Sequence, residues 1–267
     1  MDSLFAVVFP TDCCVCGQEL VPQGGTGAPA CHACWESLRP WVGPACGCCG
    51  VPFASALAGD FATPLCFECQ REDRSFDLAR SYGLYSGPLR TLILQLKFRR
   101  RERLGKRLGE LLRPPWESLE VQDALLVPVP LHPSRQRERG FNQAELLAQG
   151  LARLLRRTGR EARVETRCLR RTRPTPPQTG LSLTARRENV RGVFAVVRPE
   201  RVRDYAVVLI DDVMTTGSTL SACAKALKQA GAERVWGLTL ARATPQFPDF
   251  YVDAPRMPVD EFGGEQT

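Results

Sequence analysis

The sequence predicts an α/β fold, a parallel sheet flanked by helices, preceded by a small metal-binding module. Three observations carry this. Val207-Val208-Leu209-Ile210 is a short, mostly β-branched apolar run, suited to a strand buried on both faces of a parallel sheet. It delivers Asp211 and Asp212 into a turn, Thr215-Thr216-Gly217-Ser218-Thr219, that opens into a helix over about 218–230. A second buried run over 124–130 precedes an arginine-rich loop, and eight of the 12 cysteines form four C-x-x-C knuckles before residue 70.

With 267 residues the chain can hold one α/β domain of about 150 to 200 residues and a small extra module. The boundaries read as 1–72 for the module, 73–243 for the α/β domain and 244–267 for a proline-bearing, aperiodic tail expected to be extended or disordered. The apolar run Leu4 to Phe9 follows Asp2 without a basic leader, which predicts neither a signal peptide nor membrane insertion. A cytoplasmic location is the resulting expectation, and in a reducing compartment so many cysteines point to metal rather than disulfides.

The knuckles are Cys13/Cys16, Cys31/Cys34, Cys46/Cys49 and Cys66/Cys69. Fourteen residues separate the first two and sixteen the last two, close to the spacing of a zinc ribbon. Two all-thiolate zinc sites fit, and a closed four-cysteine shell means a structural metal. Consecutive or interleaved ligand sets would produce the same string. Cys14, Cys48 and His32 read as bystanders, and Cys168 and Cys223 as small buried apolar residues.

Charge divides the chain at the same place. Residues 1–70 hold one basic residue, Arg39, against six acids, a net of −5, which leaves +12 for the remainder to reach the overall +7. Metal-bound thiolates would make the module more negative still, so the anion-binding half is the second one.

Residues 71–74 read as a polar linker, 79–85 as a strand, and Gly87-Pro88 as the start of a helix whose Leu89, Leu92, Ile93 and Leu96 face a core. Lys97 and the run Arg99-Arg100-Arg101-Glu102-Arg103 follow, either a solvated helix joint or an anion-facing patch. The strand over 124–130 leads into a loop carrying Leu131, His132, Arg135, Arg137 and Arg139, then a helix over about 142–157. Arginine forks leaving the end of a core strand can wrap a pyrophosphate. The stretch 168–182 is basic and proline-rich, as lids are, and is followed by a short helix over 183–190 and strands over 192–197 and 234–240.

A sugar phosphate suits the central turn. Asp211 and Asp212 can accept from vicinal ribose hydroxyls, while hydroxyls and backbone N–H groups of the turn donate to a phosphate at the helix N-terminus. The simpler readings are a capped strand-to-helix junction or the acidic strand of a nucleotide hydrolase. No G-x-x-x-x-G-K-[ST] motif accompanies it, which weighs against the hydrolase.

Together these stretches resemble the ComF-type competence family. The resemblance rests on the four knuckles, Gly87-Pro88-Leu89 through Lys97-Phe98, Val127-Pro128-Val129-Pro130-Leu131-His132-Pro133, Arg139-Gly140-Phe141-Asn142-Gln143, Thr175-Pro176-Pro177-Gln178 with Gly180-Leu181-Ser182, Asn189 to Phe194, and the acidic turn. It implies an N-terminal double zinc ribbon and a type I phosphoribosyltransferase-like fold with a mobile lid. It also implies 5-phosphoribosyl-1-pyrophosphate with Mg²⁺ as ligand, and a cellular role in DNA uptake or processing during natural transformation. By that analogy Asp211 and Asp212 are the catalytic pair facing the ribose. Thr215, Thr216, Gly217, Ser218 and Thr219 hold the 5′-phosphate, residues 131–139 form the pyrophosphate loop, and 170–182 form the lid. Lys97 joins the substrate-binding set. Purine-salvage relatives carry an aspartate where this chain has Thr215, so the acceptor is not expected to be hypoxanthine or guanine.

Three roles compete: a transferase, a non-catalytic protein that holds single-stranded DNA or a competence helicase, and a ribbon that docks a basic protein. Aromatic residues are only 7% of the chain and do not interleave with arginines, so no stacking platform for single strands is written in the sequence.

Overall fold

In a computed structural model the described residues are 11–20, 29–53, 64–98, 102–121, 123–174 and 192–244. Strands β1 (Thr11–Asp12) and β2 (Glu19–Leu20) form a small antiparallel pair beside helix α1 (His32–Glu36), and helix α2 (Phe67–Arg71) closes the cysteine-rich part. The main sheet has five parallel strands. In chain order they are β3 (Leu78–Leu84), β4 (Ala124–Pro128), β5 (Ala162–Val164), β8 (Ala206–Met214) and β9 (Arg234–Arg242); in space the order is β3-β9-β8-β4-β5. The runs read from the sequence as buried strands are these: every residue of β4 is buried, as are Val207 to Ile210 in β8.

Helix α3 (Gly87–Phe98) follows β3 and buries the four predicted apolar positions Leu89, Leu92, Ile93 and Leu96. Helices α4 (Glu102–Glu110) and α5 (Arg113–Glu117) continue that layer. Helix α7 (Gln143–Arg157) crosses α4 so closely that a Cβ on Gly150 would run into the Lys106 carbonyl, and one on Gly109 into that of Leu147. Two glycines are therefore the residues that let two backbones touch. Helix α8 (Ser218–Gln229) lies on the opposite face of the sheet.

The cysteine-rich part is built onto this sheet. Cys13, Cys34 and Leu38 join the core on the α3, α4 and α7 face, while Cys46, Cys49 and Val51 join the core on the α8 face. Between them the chain runs along the edge strand β3: Trp41 N–H donates to Tyr82 O at 2.6 Å, and Ala79 N–H donates to Cys48 O at 2.8 Å. The module thus straddles and satisfies an edge that would otherwise expose unpaired backbone groups.

Two expectations are corrected. The loop over 131–143 contains helix α6 (Pro133–Arg139): Pro133 occupies the first turn, the His132 side chain accepts from Ser134 N–H as a cap, and Gly140 ends the helix at φ 83°. The basic stretch read as lid begins as ordered strand β6 (Leu169–Arg171), antiparallel to β7 (Phe194–Val196), because Leu169 and Phe194 are buried in the core beneath α8. The remainder of the lid beyond residue 174, the helix expected over 183–190, Arg99 to Arg101 and the tail after 244 lie outside the described residues.

Candidate functional site

The strand order reverses between β4 and β8. The chain leaving β4 runs to the outer strand β5, whereas the chain leaving β8 runs to β9 on the other side. Loops therefore part above the carboxyl ends of β4 and β8 and leave a crevice, the usual ligand position in an open α/β sheet. Both sequence motifs empty into it.

From β8, Asp211 and Asp212 project to opposite faces, as consecutive strand residues must. Asp212 meets Lys97 at the end of α3, with Nζ 3.0 Å from Oδ1. Asp211 is partly buried, and its Oδ1 accepts the Asp212 N–H at 2.8 Å. Burial, with the neighbouring Asp212 carboxylate, pushes the Asp211 pKa from 3.8 up to about 7. For Lys97, burial works against the ammonium, yet the Asp212 carboxylate prevails and the pKa is raised. In register with Asp211, Thr239 on β9 is fully buried and bonded to Ser81 Oγ at 2.7 Å, a hydroxyl pair tying β9 to β3.

The turn after β8 is shaped by Gly217, which sits at φ 78° as the N-cap of α8. A Cβ there would also lie 2.7 Å from Met214 Cε, a contact the flexible methionine end can relieve, so it is the positive φ that calls for glycine. Ser218 is the first helical residue; its N–H donates to Thr216 Oγ1 at 3.3 Å, and the two hydroxyls are 2.5 Å apart. The result is the N-terminus of a twelve-residue helix facing the crevice with a hydroxyl-lined turn.

Of the pyrophosphate-loop residues, Arg139 comes into the site. Burial lowers its pKa while Asp212 opposes that shift, and its guanidinium lies 5.8 Å from the Phe98 ring centroid. Arg135 approaches Arg171 of β6, whose pKa is lowered by burial and then by Arg135, with Asp211 pulling it back. Leu131 lines a neighbouring cavity, His132 is engaged in capping α6, and Arg137 is exposed on that helix. Asn142 ties the loop down: its Nδ2 donates to Val129 O at 3.0 Å and its Oδ1 accepts Ala144 N–H at 3.1 Å, capping α7. Arg171, Asn142 and Thr239 were not singled out from the sequence. Only Asn142, placed directly before an amphipathic helix, carried a legible signal, that of an N-cap.

A cavity of about 620 Å³, which neither Asp211 nor Asp212 lines, lies between the pyrophosphate loop and β6, and includes Leu131, Gln136, Glu145, Arg167, Arg170, Arg171 and Arg198 in its lining. Four guanidinium groups against one carboxylate make it anion-attracting.

The knuckles assemble consecutively. The Sγ atoms of Cys13, Cys16, Cys31 and Cys34 lie within 4.8 Å of one another, as do those of Cys46, Cys49, Cys66 and Cys69. Cys14 and Cys48 belong to neither group. The surroundings suit thiolates: Cys31 N–H points to Cys13 Sγ at 3.3 Å, Cys66 N–H to Cys46 Sγ at 3.3 Å, and Arg242 to Cys49 Sγ at 3.7 Å. Such donors around four convergent sulfurs fit a zinc ion. His32 pairs with Glu36 on the exposed face of α1, and Cys168 and Cys223 are buried.

The fold and the two sulfur clusters define a phosphoribosyltransferase-type domain carrying a double zinc ribbon. Accordingly, residues 4–70 match the double zinc ribbon domain and residues 142–249 the phosphoribosyl transferase domain. Competence protein F of Haemophilus influenzae is 33% identical over 224 residues, covering 79% of this chain and 90% of that protein. DNA utilization protein YhgH of Escherichia coli K12 is 34% identical over 201 residues, covering 72% and 82%. The chain belongs to this competence protein F and YhgH family, the ComF-type family. Amidophosphoribosyltransferase of E. coli K12 is 31% identical over 158 residues, 58% of this chain and 27% of that enzyme. Among the described residues no helix is long and apolar enough to cross a membrane.

Proposed function

We propose that the chain binds 5-phosphoribosyl-1-pyrophosphate with Mg²⁺ in the crevice between β4 and β8, in the cytoplasm, and that this serves DNA uptake or processing in natural transformation. The observation that carries the reading is the convergence of Asp211, Asp212, Lys97 and Arg139 beside the turn at 215–219. In this reading the ribose hydroxyls replace Lys97 as partner of Asp212, and the 5′-phosphate takes the N–H groups of the turn. Arg135, Arg139 and Arg171 face the pyrophosphate. Bound Mg²⁺ would neutralise charge on the leaving pyrophosphate.

The chemistry supported is displacement at ribose C1: the bond to pyrophosphate breaks, the bond to an acceptor forms, and the electron pair leaves with pyrophosphate. The protein supplies position and charge rather than a nucleophile. Thr215 offers no carboxylate to deprotonate a purine, so the acceptor lies outside ordinary purine salvage. Pyrophosphate release from phosphoribosyl pyrophosphate, measured across candidate acceptors, tests catalysis. Release that disappears in the D211N/D212N double variant supports a transferase.

The arginine-lined cavity favours a second reading, a non-catalytic protein that holds single-stranded DNA for a competence helicase. Salt-sensitive single-strand binding that survives D211N/D212N, without turnover of any acceptor, would favour it.

A further inference from the structure

We infer that the second four-cysteine centre holds the phosphate turn in shape through Arg74, so that metal occupancy of Cys46, Cys49, Cys66 and Cys69 is coupled to ligand occupancy of the turn. This rests on the sugar-phosphate reading of that turn. Residues 71–74 read in the sequence as a polar spacer, but the structure gives Arg74 a specific place. Its Nη1 donates to Thr216 O at 3.0 Å, and its guanidinium lies beside the second cysteine centre, where Cys69 and Cys49 favour its charge against burial. One rigid, planar fork thus spans the cysteine centre and the turn.

The neighbouring residues reinforce the connection. Ser75 N–H donates to Ser221 Oγ at 3.1 Å in the first turns of α8, and the Phe76 ring comes within 3.5 Å of where a Cβ on Gly217 would lie. From the other side, Arg242 donates to Cys49 O at 3.4 Å and to its sulfur at 3.7 Å, while pairing in the sheet with Met214, just before the turn.

The geometry of the peptide unit makes this consequential. The Thr216 carbonyl and the Gly217 N–H belong to one planar trans amide and point in opposite directions. Holding the carbonyl on Arg74 therefore aims the Gly217 N–H away from the cysteine centre, the direction in which a phosphate at the N-terminus of α8 finds its donors. Once the four sulfurs are no longer held together, the anionic face opposite Arg74 is lost and the amide is free to turn. Coupling is reciprocal, so a phosphate held by the turn must strengthen metal retention by the same factor. The first cysteine centre lies on the other face of the sheet, where Cys13 and Cys34 join the core and Trp35 is stacked 3.9 Å beneath Arg107 on α4.

The test uses the full zinc-loaded chain in Mg²⁺-free buffer, with ribose 5-phosphate as the probe and a chromogenic chelator competing for zinc. Saturating ribose 5-phosphate is expected to raise the chelator concentration needed to remove one of the two zinc ions by about 5-fold or more. The other zinc should be unaffected. In C16S, which lacks a complete first centre, the remaining zinc should still respond. In R74Q and R74K the response should fall below about 2-fold while calorimetry still detects the sugar phosphate. If the wild-type chain binds ribose 5-phosphate but both zinc ions are removed unchanged, or if R74Q and R74K respond like wild type, the coupling is overturned and the phosphate site stands. If the wild-type chain does not bind ribose 5-phosphate, the site reading and the coupling fall together. Should R74Q not fold, R74K and the comparison of the two zinc ions in the wild-type chain decide.

Discussion

Lys97 Nζ lies 3.0 Å from Asp212 Oδ1, with the lysine side chain 20% and the aspartate 12% exposed. Lys97 is the counter-charge that lets two adjacent acids share one crevice. Removing it leaves Asp212 uncompensated beside Asp211. K97M should therefore lower unfolding free energy at pH 7 by about 2 kcal/mol, read from urea denaturation. The loss should shrink in K97M/D212N, because the uncompensated charge is then gone. An equal loss in both variants would assign Lys97 a packing role only.

The raised pKa of Asp211 gives stability a direction with pH. Between the ordinary 3.8 and the folded value of about 7, the folded chain holds a proton that the unfolded chain has released. Its contribution is therefore fully favourable below about pH 4, is lost progressively as pH rises to 7, and is absent above. D211N removes the titration and should be more stable than wild type at pH 8 by on the order of 2 kcal/mol. At pH 4 the two should differ little. Urea midpoints at both pH values measure this, and a gap of the same size at both would contradict it.

The two cysteine centres should differ in what they support. Cys16 is exposed, whereas Cys49 is buried against Arg242 in the core of the sheet. Native mass spectrometry should find two zinc ions per chain, and one ion in C16S. C16S should lower the melting temperature of the α/β domain by only a few degrees. C49S should cost at least about 3 kcal/mol, through loss of the metal and of the buried sulfur that Arg242 faces. Equal effects of the two substitutions would contradict the asymmetry.

Much of this was legible because strong local signals agreed with the fold. The apolar run at Val207 to Ile210, the pair Asp211 and Asp212 and the turn through Gly217 need only their immediate neighbours to be read. Cysteine spacing was likewise sufficient to suggest two metal sites but not to choose between consecutive and interleaved ligand sets, since sulfur distances are a tertiary fact. Helix α6 was missed because arginine-rich sequence after two prolines looks like loop, although Pro133 and Gly140 mark its ends. Arg74 and Arg242 carried no signal at all. Each matters through partners more than 140 positions away, Thr216 for the one and Cys49 for the other, and no periodicity records such a contact.

We propose the crevice between β4 and β8 as a phosphoribosyl pyrophosphate site built on Asp211 and Asp212. Titration calorimetry of phosphoribosyl pyrophosphate with Mg²⁺ into the full chain tests it most directly. One site per chain is expected, weakened at least about 10-fold in D211N/D212N and in K97A, with affinity rising from pH 6 toward pH 8 as Asp211 ionises. No heat of binding from the folded, zinc-loaded chain, or undiminished binding in D211N/D212N, would contradict the account.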